Sequence, residues 1–190
     1  MDVNYERLRT AIDETIASLK AKSKLPDRTR KVRLEVIGDL ESEISAEGYS
    51  FRCDASIDAG GAAKHPRPMD YLLGGLLSCQ QMWCMRWAAL IGVCFLSLKI
   101  AADGKFTWRG EYLDEVDSGL LAIEVKYQIE SVGLTKSDVR DMADMVARRC
   151  PVFATLRKAT IIEEDIVLNG ALVSRREWRP GRRLPILQKL

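Results

Sequence analysis

Histidine is almost missing. His65 stands alone among 190 residues, so a cysteine–histidine protease, a serine–histidine triad or a histidine-built metal site has little to draw on. Paired thiol motifs are missing too. The chain has five cysteines, an odd number, and none falls in a C-x-x-C arrangement, which argues against a zinc ribbon and against a disulfide scaffold. No metal or cofactor is expected. Nor is there a run of about 18 uncharged apolar residues that would cross a bilayer. The nearest stretch, Tyr71 to Leu98, is interrupted by Gln80, Gln81 and Arg86. The opening residues, MDVNYERLRTAIDE, are acidic and polar where a secretory leader would be basic and then apolar. The expectation is a cytoplasmic protein with free thiols and no membrane contact.

What is present suits a globular chain. Hydrophobic residues make up 47% and charged residues 29%, enough to bury a core and too many apolar residues for disorder. The net charge of +2 is uneven. Arg175, Arg176, Arg179, Arg182, Arg183 and Lys189 face Glu177 alone in the last twenty residues, so the rest of the chain is slightly acidic.

The hydrophobic period changes along the chain. Leu8, Ile12, Ile16 and Leu19 fall on one helical stripe, and KSKLPDRTRK follows as a connector in which Pro26 stops the helix. Val32, Leu34 and Val36 then alternate with charges, as do Phe51, Cys53, Ala55 and Ile57 with polar residues. This predicts two half-buried strands joined through GDLESEISAEG as a hairpin. DAGGAAKHPRP is a loop, and Pro68 suits the first position of a long apolar helix. Leu96, Leu98 and Ile100, then Phe106 and Trp108, then Leu121 to Ile129 predict further strands. Thr135 with Asp138 marks a helix start, Pro151 disfavours helix at Cys150, and ATIIEEDIVL predicts a last strand. Runs of strands with segregated helices predict an α+β fold with antiparallel sheets.

The sulfurs admit two readings. Free cysteine is a small apolar residue that often sits buried. Cys53 fits that role on its strand, and Cys94 reads as a core residue at a strand start. Cys84 lies about 140° around the helix from Cys79 at roughly 100° per residue, so the two do not share a face. Cys150 is different: with Pro151 opening a helical turn, it sits where a helix N-terminus favours thiolate, beside Arg148 and Arg149. Met82, Trp83, Met85 and Trp87 read as core packing, with Arg86 reaching to solvent or to a carboxylate.

Two fragments, RPMDYLLGGLLSC ending at Cys79 and RRCPVFATL around Cys150, resemble the paired cysteine motifs of the OsmC/Ohr superfamily, the osmotically inducible protein C and organic hydroperoxide resistance proteins. The first fragment is nearer the less characterised OsmC-like branch. The likeness extends in element order over roughly residues 30–170. It implies sheets packed around a long buried central helix in an intertwined homodimer. The chain then divides into a helical extension over 1–26, the OsmC-like domain over 27–170 and a basic tail over 171–190. The activity implied is a thiol peroxidase, with Cys79 peroxidatic and Cys150 resolving, using a small apolar hydroperoxide and a thiol reductant. Leu76, Trp83 and Phe153 would line the pocket. An acidic residue ahead of the first cysteine falls on Asp70. About 13.5 Å of helix rise and half a turn separate it from Cys79, so it would act across the dimer; an acid in a first helical turn also simply complements the helix dipole. The family's thiolate-stabilising arginine falls on Arg52 or Arg67. The competing class is a non-catalytic dimer of the same fold that binds an apolar ligand or a protein partner. Nucleic-acid contact rests on the basic tail alone, and an arm packed on a neighbouring subunit explains that tail as well.

Overall fold

The computed structural model describes residues 2–21, 29–113, 119–159 and 161–179. Most of the connector around Pro26 and the end of the basic tail, including Arg182, Arg183 and Lys189, lie outside the described residues. By its internal contacts the chain forms two compact units, one built from residues up to Thr15 and from Leu76 onward, the other from Ile16 to Gly75. Helices α1 (Tyr5–Ala21) and α2 (Pro68–Ile91) each begin in one unit and end in the other.

The smaller unit holds an antiparallel meander of β1 (Val32–Val36), β2 (Ser42–Ala46) and β3 (Tyr49–Cys53). The sequence reading put one long turn over residues 38–48; the structure puts a strand there. Ile44 pairs with Leu34 on one side and Phe51 on the other, so the stretch completes an apolar row. The tight turn is confined to Glu47 and Gly48, both at positive φ (50° and 88°). That is the two-residue geometry whose twist matches a hairpin. A second departure concerns β1, predicted half-buried: all five residues are exposed, with Val32, Leu34 and Val36 at 60%, 61% and 69%.

After β3 the loop is organised by Asp54, which is 2% exposed. Its carboxylate accepts from the backbone N–H of Ala55, Ala62 and Lys64, and those bonds hold its pKa below the usual carboxylate range. Gly61 must be glycine, because a Cβ there would stand 2.2 Å from the Ala55 carbonyl oxygen.

The larger unit holds a four-stranded sheet in the order β4 (Phe95–Lys105), β5 (Ala122–Ser131), β6 (Ile161–Leu168), β7 (Ala171–Trp178). The fold is α+β as the pattern predicted, but this sheet is mixed, since β5 and β6 run parallel. A parallel pair needs a crossover, and α4 (Lys136–Arg149) with α5 (Pro151–Leu156) supplies it. β6 is therefore not the last strand: β7 occupies Ala171–Trp178, where charge alone had indicated a tail. Two salt bridges from that basic stretch, Arg175 to Asp165 and Arg176 to Asp144, fasten it. Phe106 and Trp108 do not form a strand either. β4 ends at Lys105 and Trp108 opens the short helix α3 (Trp108–Leu113).

One face of the sheet is closed. On β5, Ile123, Val125, Tyr127 and Ile129 are buried while Lys126, Gln128 and Glu130 are exposed, and on β6 Ile162, Glu164, Ile166 and Leu168 are buried. Val139, Met142, Ala143 and Val146 bury the apolar stripe of α4. Its start is fixed by the expected capping box, with Thr135 accepting from Asp138 N–H and Asp138 accepting from Thr135 N–H. Such a cap contributes about 1 kcal/mol. From Leu76 on, α2 buries Leu76, Cys79, Gln80, Cys84, Met85, Trp87, Ala88 and Ala89. Among the described residues no helix is long and apolar enough to cross a membrane.

Candidate active site

Pro151 creates the local geometry on which the site depends. It blocks continuation of α4, so Cys150 adopts extended angles (φ −75°, ψ 110°) and serves two helices, ending α4 and capping α5. Its backbone N–H donates to Val146 and its sulfur accepts from Phe153 N–H at 3.3 Å. Cys150 is fully buried. Across from it, Cys79 projects from α2 at 7% exposure, near enough to help raise the Cys150 thiol. Both are free thiols. The structure thus brings together two sulfurs that lie far apart along the chain.

The helix N-terminus was expected to favour thiolate at Cys150. Burial wins instead and pushes the thiol up to about 12, reinforced by the nearby Cys79 thiol and opposed by Phe153 N–H. The reason is that α5 has only six residues and the capping sulfur is itself fully buried, where desolvation outweighs a fractional dipole charge. Cys84 is fully buried and its acidity is suppressed further, first by burial, then by the Glu164 carboxylate and by Cys150. Cys53 is buried as expected of filler; Cys94 is exposed, against the expectation of a core residue.

The proposed pocket residues sit in the same unit as the thiols. Leu76 and Phe153 are fully buried, and Phe153 meets Trp178 edge-on at 5.4 Å. Trp83, one turn beyond Cys79, is half-buried with the Arg86 guanidinium 4.7 Å and that of Arg149 5.8 Å from its ring centroid. Arg86 therefore stacks on an indole, where the sequence reading sent it to solvent or to a carboxylate.

The other candidates lie in the smaller unit, and each has a local partner. Asp70 accepts from Arg67 N–H at 2.9 Å and from its Nε at 3.4 Å, and those bonds hold its carboxyl below the ordinary range. Arg67 and Asp70 are thus brought together at the start of α2. Arg52 pairs with Glu43 and Glu41, and its carbonyl accepts from Tyr71. Glu41 also holds Lys64 and the lone His65. Among the described residues no three acidic, histidine or cysteine side chains are grouped to hold a metal ion.

The sequence reading gave no functional role to Gln80, Tyr127, Glu164 or Trp178. Gln80 and Glu164 are buried at 0% and 1%, and side-chain polar atoms of all four residues lack a hydrogen-bond partner. A signal was present for Glu164: the alternation of IIEEDIVL puts it in step with Ile162 and Ile166, on the inward face.

A family model described as OsmC-like protein matches residues 60–165. No curated protein matches the chain. Among solved structures, an OsmC-like protein from Mycoplasma pneumoniae is 21% identical with a TM-score of 0.66, covering 75% of this chain and 99% of its own. An OsmC-like protein of unknown function from Vibrio cholerae is 11% identical with a TM-score of 0.62, covering 74% and 100%. An organic hydroperoxide resistance protein from Legionella pneumophila is 10% identical with a TM-score of 0.57, covering 75% and 99%. At these identities the likeness is one of fold.

Proposed function

The chain belongs to the OsmC-like protein family, and on that premise we propose that it is a thiol-dependent peroxidase that reduces organic hydroperoxides with Cys79 and Cys150. The observation that carries this reading is the burial of two free thiols near each other, one from the middle of α2 and one from the α4–α5 junction. The Cys79 sulfur attacks the peroxide: an S–O bond forms, the O–O bond breaks, and the alcohol leaves with a proton, so that Cys79 becomes a sulfenic acid. Cys150 then attacks that sulfur, its proton leaves with the hydroxyl as water, and a disulfide remains. A dithiol restores both thiols. The apolar surroundings supplied by Leu76, Phe153 and Trp83 favour an apolar peroxide and keep out the water and small oxidants that carry sulfenic acid further. Asp70, with Arg67 or Arg52, would assist from the partner subunit of a dimer.

A homodimer is part of the proposal. The exposed Val32, Leu34 and Val36 of β1 form an apolar row that a monomer leaves in water, and a second copy is the occupant the family fold implies. The same row also favours the second reading, a dimer that binds an apolar ligand or a protein partner while its thiols stay inert. Thiol counting on the reduced protein separates them. One equivalent of cumene hydroperoxide should remove two thiols from the wild type and leave no Cys79–Cys150 disulfide in Cys79→Ser or Cys150→Ser. No thiol loss in any of the three defeats the peroxidase.

A further inference from the structure

On the closed face of the sheet lies a polar cluster that the cycle above leaves idle. Glu164 pairs in register with Val125 on β5 and Arg176 on β7. It is 1% exposed, and neither carboxylate oxygen closes a hydrogen bond. The Tyr127 hydroxyl and the Trp178 indole N–H are the donors that bear on it, and they too stop short of a closed bond. Leaving such a buried group unpaired is costly, so a packed leucine at position 164 would serve the fold better. Four convergent polar atoms kept at that cost point to a task.

The groups that bear electrostatically on Glu164 come from four elements. Tyr127 comes from β5, Trp178 and Arg176 from β7, Asp144 from α4 and Cys84 from α2. Arg176 is already committed, since its guanidinium pairs with Asp144 and donates to the Arg140 carbonyl and Ser174 Oγ. Arg176 still favours the ionised carboxylate, but burial outweighs it and pushes the Glu164 carboxyl up to about 7. Tyr127 lies within electrostatic range of Glu164, Cys84 and Cys150, and Phe153, whose N–H donates to the Cys150 sulfur, packs edge-on against Trp178 of the cluster.

We propose that Glu164 is the proton store of the dithiol, releasing its proton through Tyr127 to the Cys150 sulfur when the Cys79–Cys150 disulfide is opened. The inference rests on the dithiol reading above. Cys79 is the less enclosed sulfur, at 7% against 0% for Cys150, so an incoming thiolate attacks there. A new S–S bond joins the reductant to Cys79, the old bond breaks, and its electron pair leaves on Cys150. That sulfur sits where water cannot reach, and a thiol held near 12 is a poor leaving group. As the bond opens, Tyr127 gives its hydroxyl proton to Cys150 and takes the proton of Glu164. Cys150 ends as a thiol and Glu164 as a carboxylate, which solvent later reprotonates. Glu164 touches neither peroxide nor reductant; it positions a proton.

The test opens the disulfide in isolation. The protein is oxidised with diamide, the Cys79–Cys150 bond is confirmed by peptide mapping, and reduction by dithiothreitol is timed from pH 5 to 9. Rates are divided by the thiolate fraction of dithiothreitol. The corrected wild-type rate should fall as pH rises through about 7, and Glu164→Gln and Tyr127→Phe should flatten the profile and slow reduction at pH 6 by about tenfold to hundredfold. If the glutamine variant fails to fold, Tyr127→Phe alone decides. Corrected profiles that superpose on wild type overturn the proton store. Failure of diamide to form the bond overturns it together with the dithiol reading. Inert thiols toward cumene hydroperoxide, with the pH signature intact, remove the peroxidase and leave the proton store standing.

Discussion

The Arg149 guanidinium lies 5.8 Å from the ring centroid of Trp83, so the last residue of α4 is held on the middle of α2. Cys150 follows Arg149, and Trp83 stands one helical turn beyond Cys79. This contact therefore braces the two segments that carry the thiols. Each cation–π contact contributes about 0.5–1 kcal/mol at a partly exposed site. Trp83→Leu, which loses both Arg149 and Arg86, should cost about 1–2 kcal/mol in urea unfolding, and Arg149→Leu about half of that. A double-mutant cycle should show coupling of about 0.5 kcal/mol or more; additive losses would mean that the stacking is incidental.

Thiol exposure predicts an uneven labelling pattern. Cys94 is the exposed sulfur, while Cys53, Cys79, Cys84 and Cys150 are buried, and Cys150 and Cys84 are held as thiols by burial. Iodoacetamide at pH 7.5 should modify Cys94 rapidly in the native protein, with all five reacting in denaturant. Cys150 should resist even at pH 9. Rapid native alkylation of Cys150, read by mass spectrometry of tryptic peptides, would contradict the burial described.

Glu164 gives a pH dependence of stability whose sign is unusual for a carboxylate. Its folded pKa is raised from 4.5 to about 7. The folded state thus holds this proton more tightly than the unfolded chain, so the contribution of Glu164 to stability is fully present below about pH 4.5 and is lost as pH rises toward 7. The contribution is on the order of 3 kcal/mol at about 1.4 kcal/mol per unit. Glu164→Gln should remove that slope and stabilise the protein at pH 8. A glutamine variant that melts no higher than wild type at pH 8, and with the same pH slope, would argue that Glu164 stays ionised.

Gly61→Ala forces a methyl group to within 2.2 Å of the Ala55 carbonyl oxygen. Backbone must move to relieve it, at about 1–3 kcal/mol, and the bonds from Ala62 and Lys64 to Asp54 move with it. The expected result is a lower urea midpoint and faster tryptic cleavage at Lys64 or Arg67. Unchanged values in both assays would show that the loop has room to shift.

The apolar row of β1 predicts an assembly. Leu34→Asp or Val36→Asp should convert a dimer to monomer in sedimentation velocity while leaving the far-ultraviolet spectrum close to wild type. A wild-type protein that sediments as a monomer at micromolar concentration would remove the dimer from the proposal.

Where the sequence carried a local physical rule, it was legible. Pro68 and Pro151 set helix starts, Thr135 with Asp138 set a cap, and the two thiol fragments carried the family. Misreadings arose where a tertiary partner decides. Nothing local says that Ile44 completes a row with Leu34 and Phe51, so its strand was read as a turn. Arg175 and Arg176 look like a solvated tail until Asp165 and Asp144 are placed opposite them. The parallel pairing of β5 with β6 is invisible in a period-two pattern, which is the same for either direction. Glu164 was legible from its inward phase, but a charged residue on a buried face is discounted unless its surroundings are known.

The N-terminal helix lies outside the region that the family model matches, yet it is not loosely attached. Tyr5 accepts the Phe95 N–H through its hydroxyl, and Arg9 donates to the Leu90 carbonyl at 2.7 Å. Both bonds land where α2 gives way to β4. A tag or fusion placed ahead of Tyr5 therefore tugs on the far end of the rod that carries Cys79, and the choice of affinity handle becomes an experimental variable in any assay of the thiols.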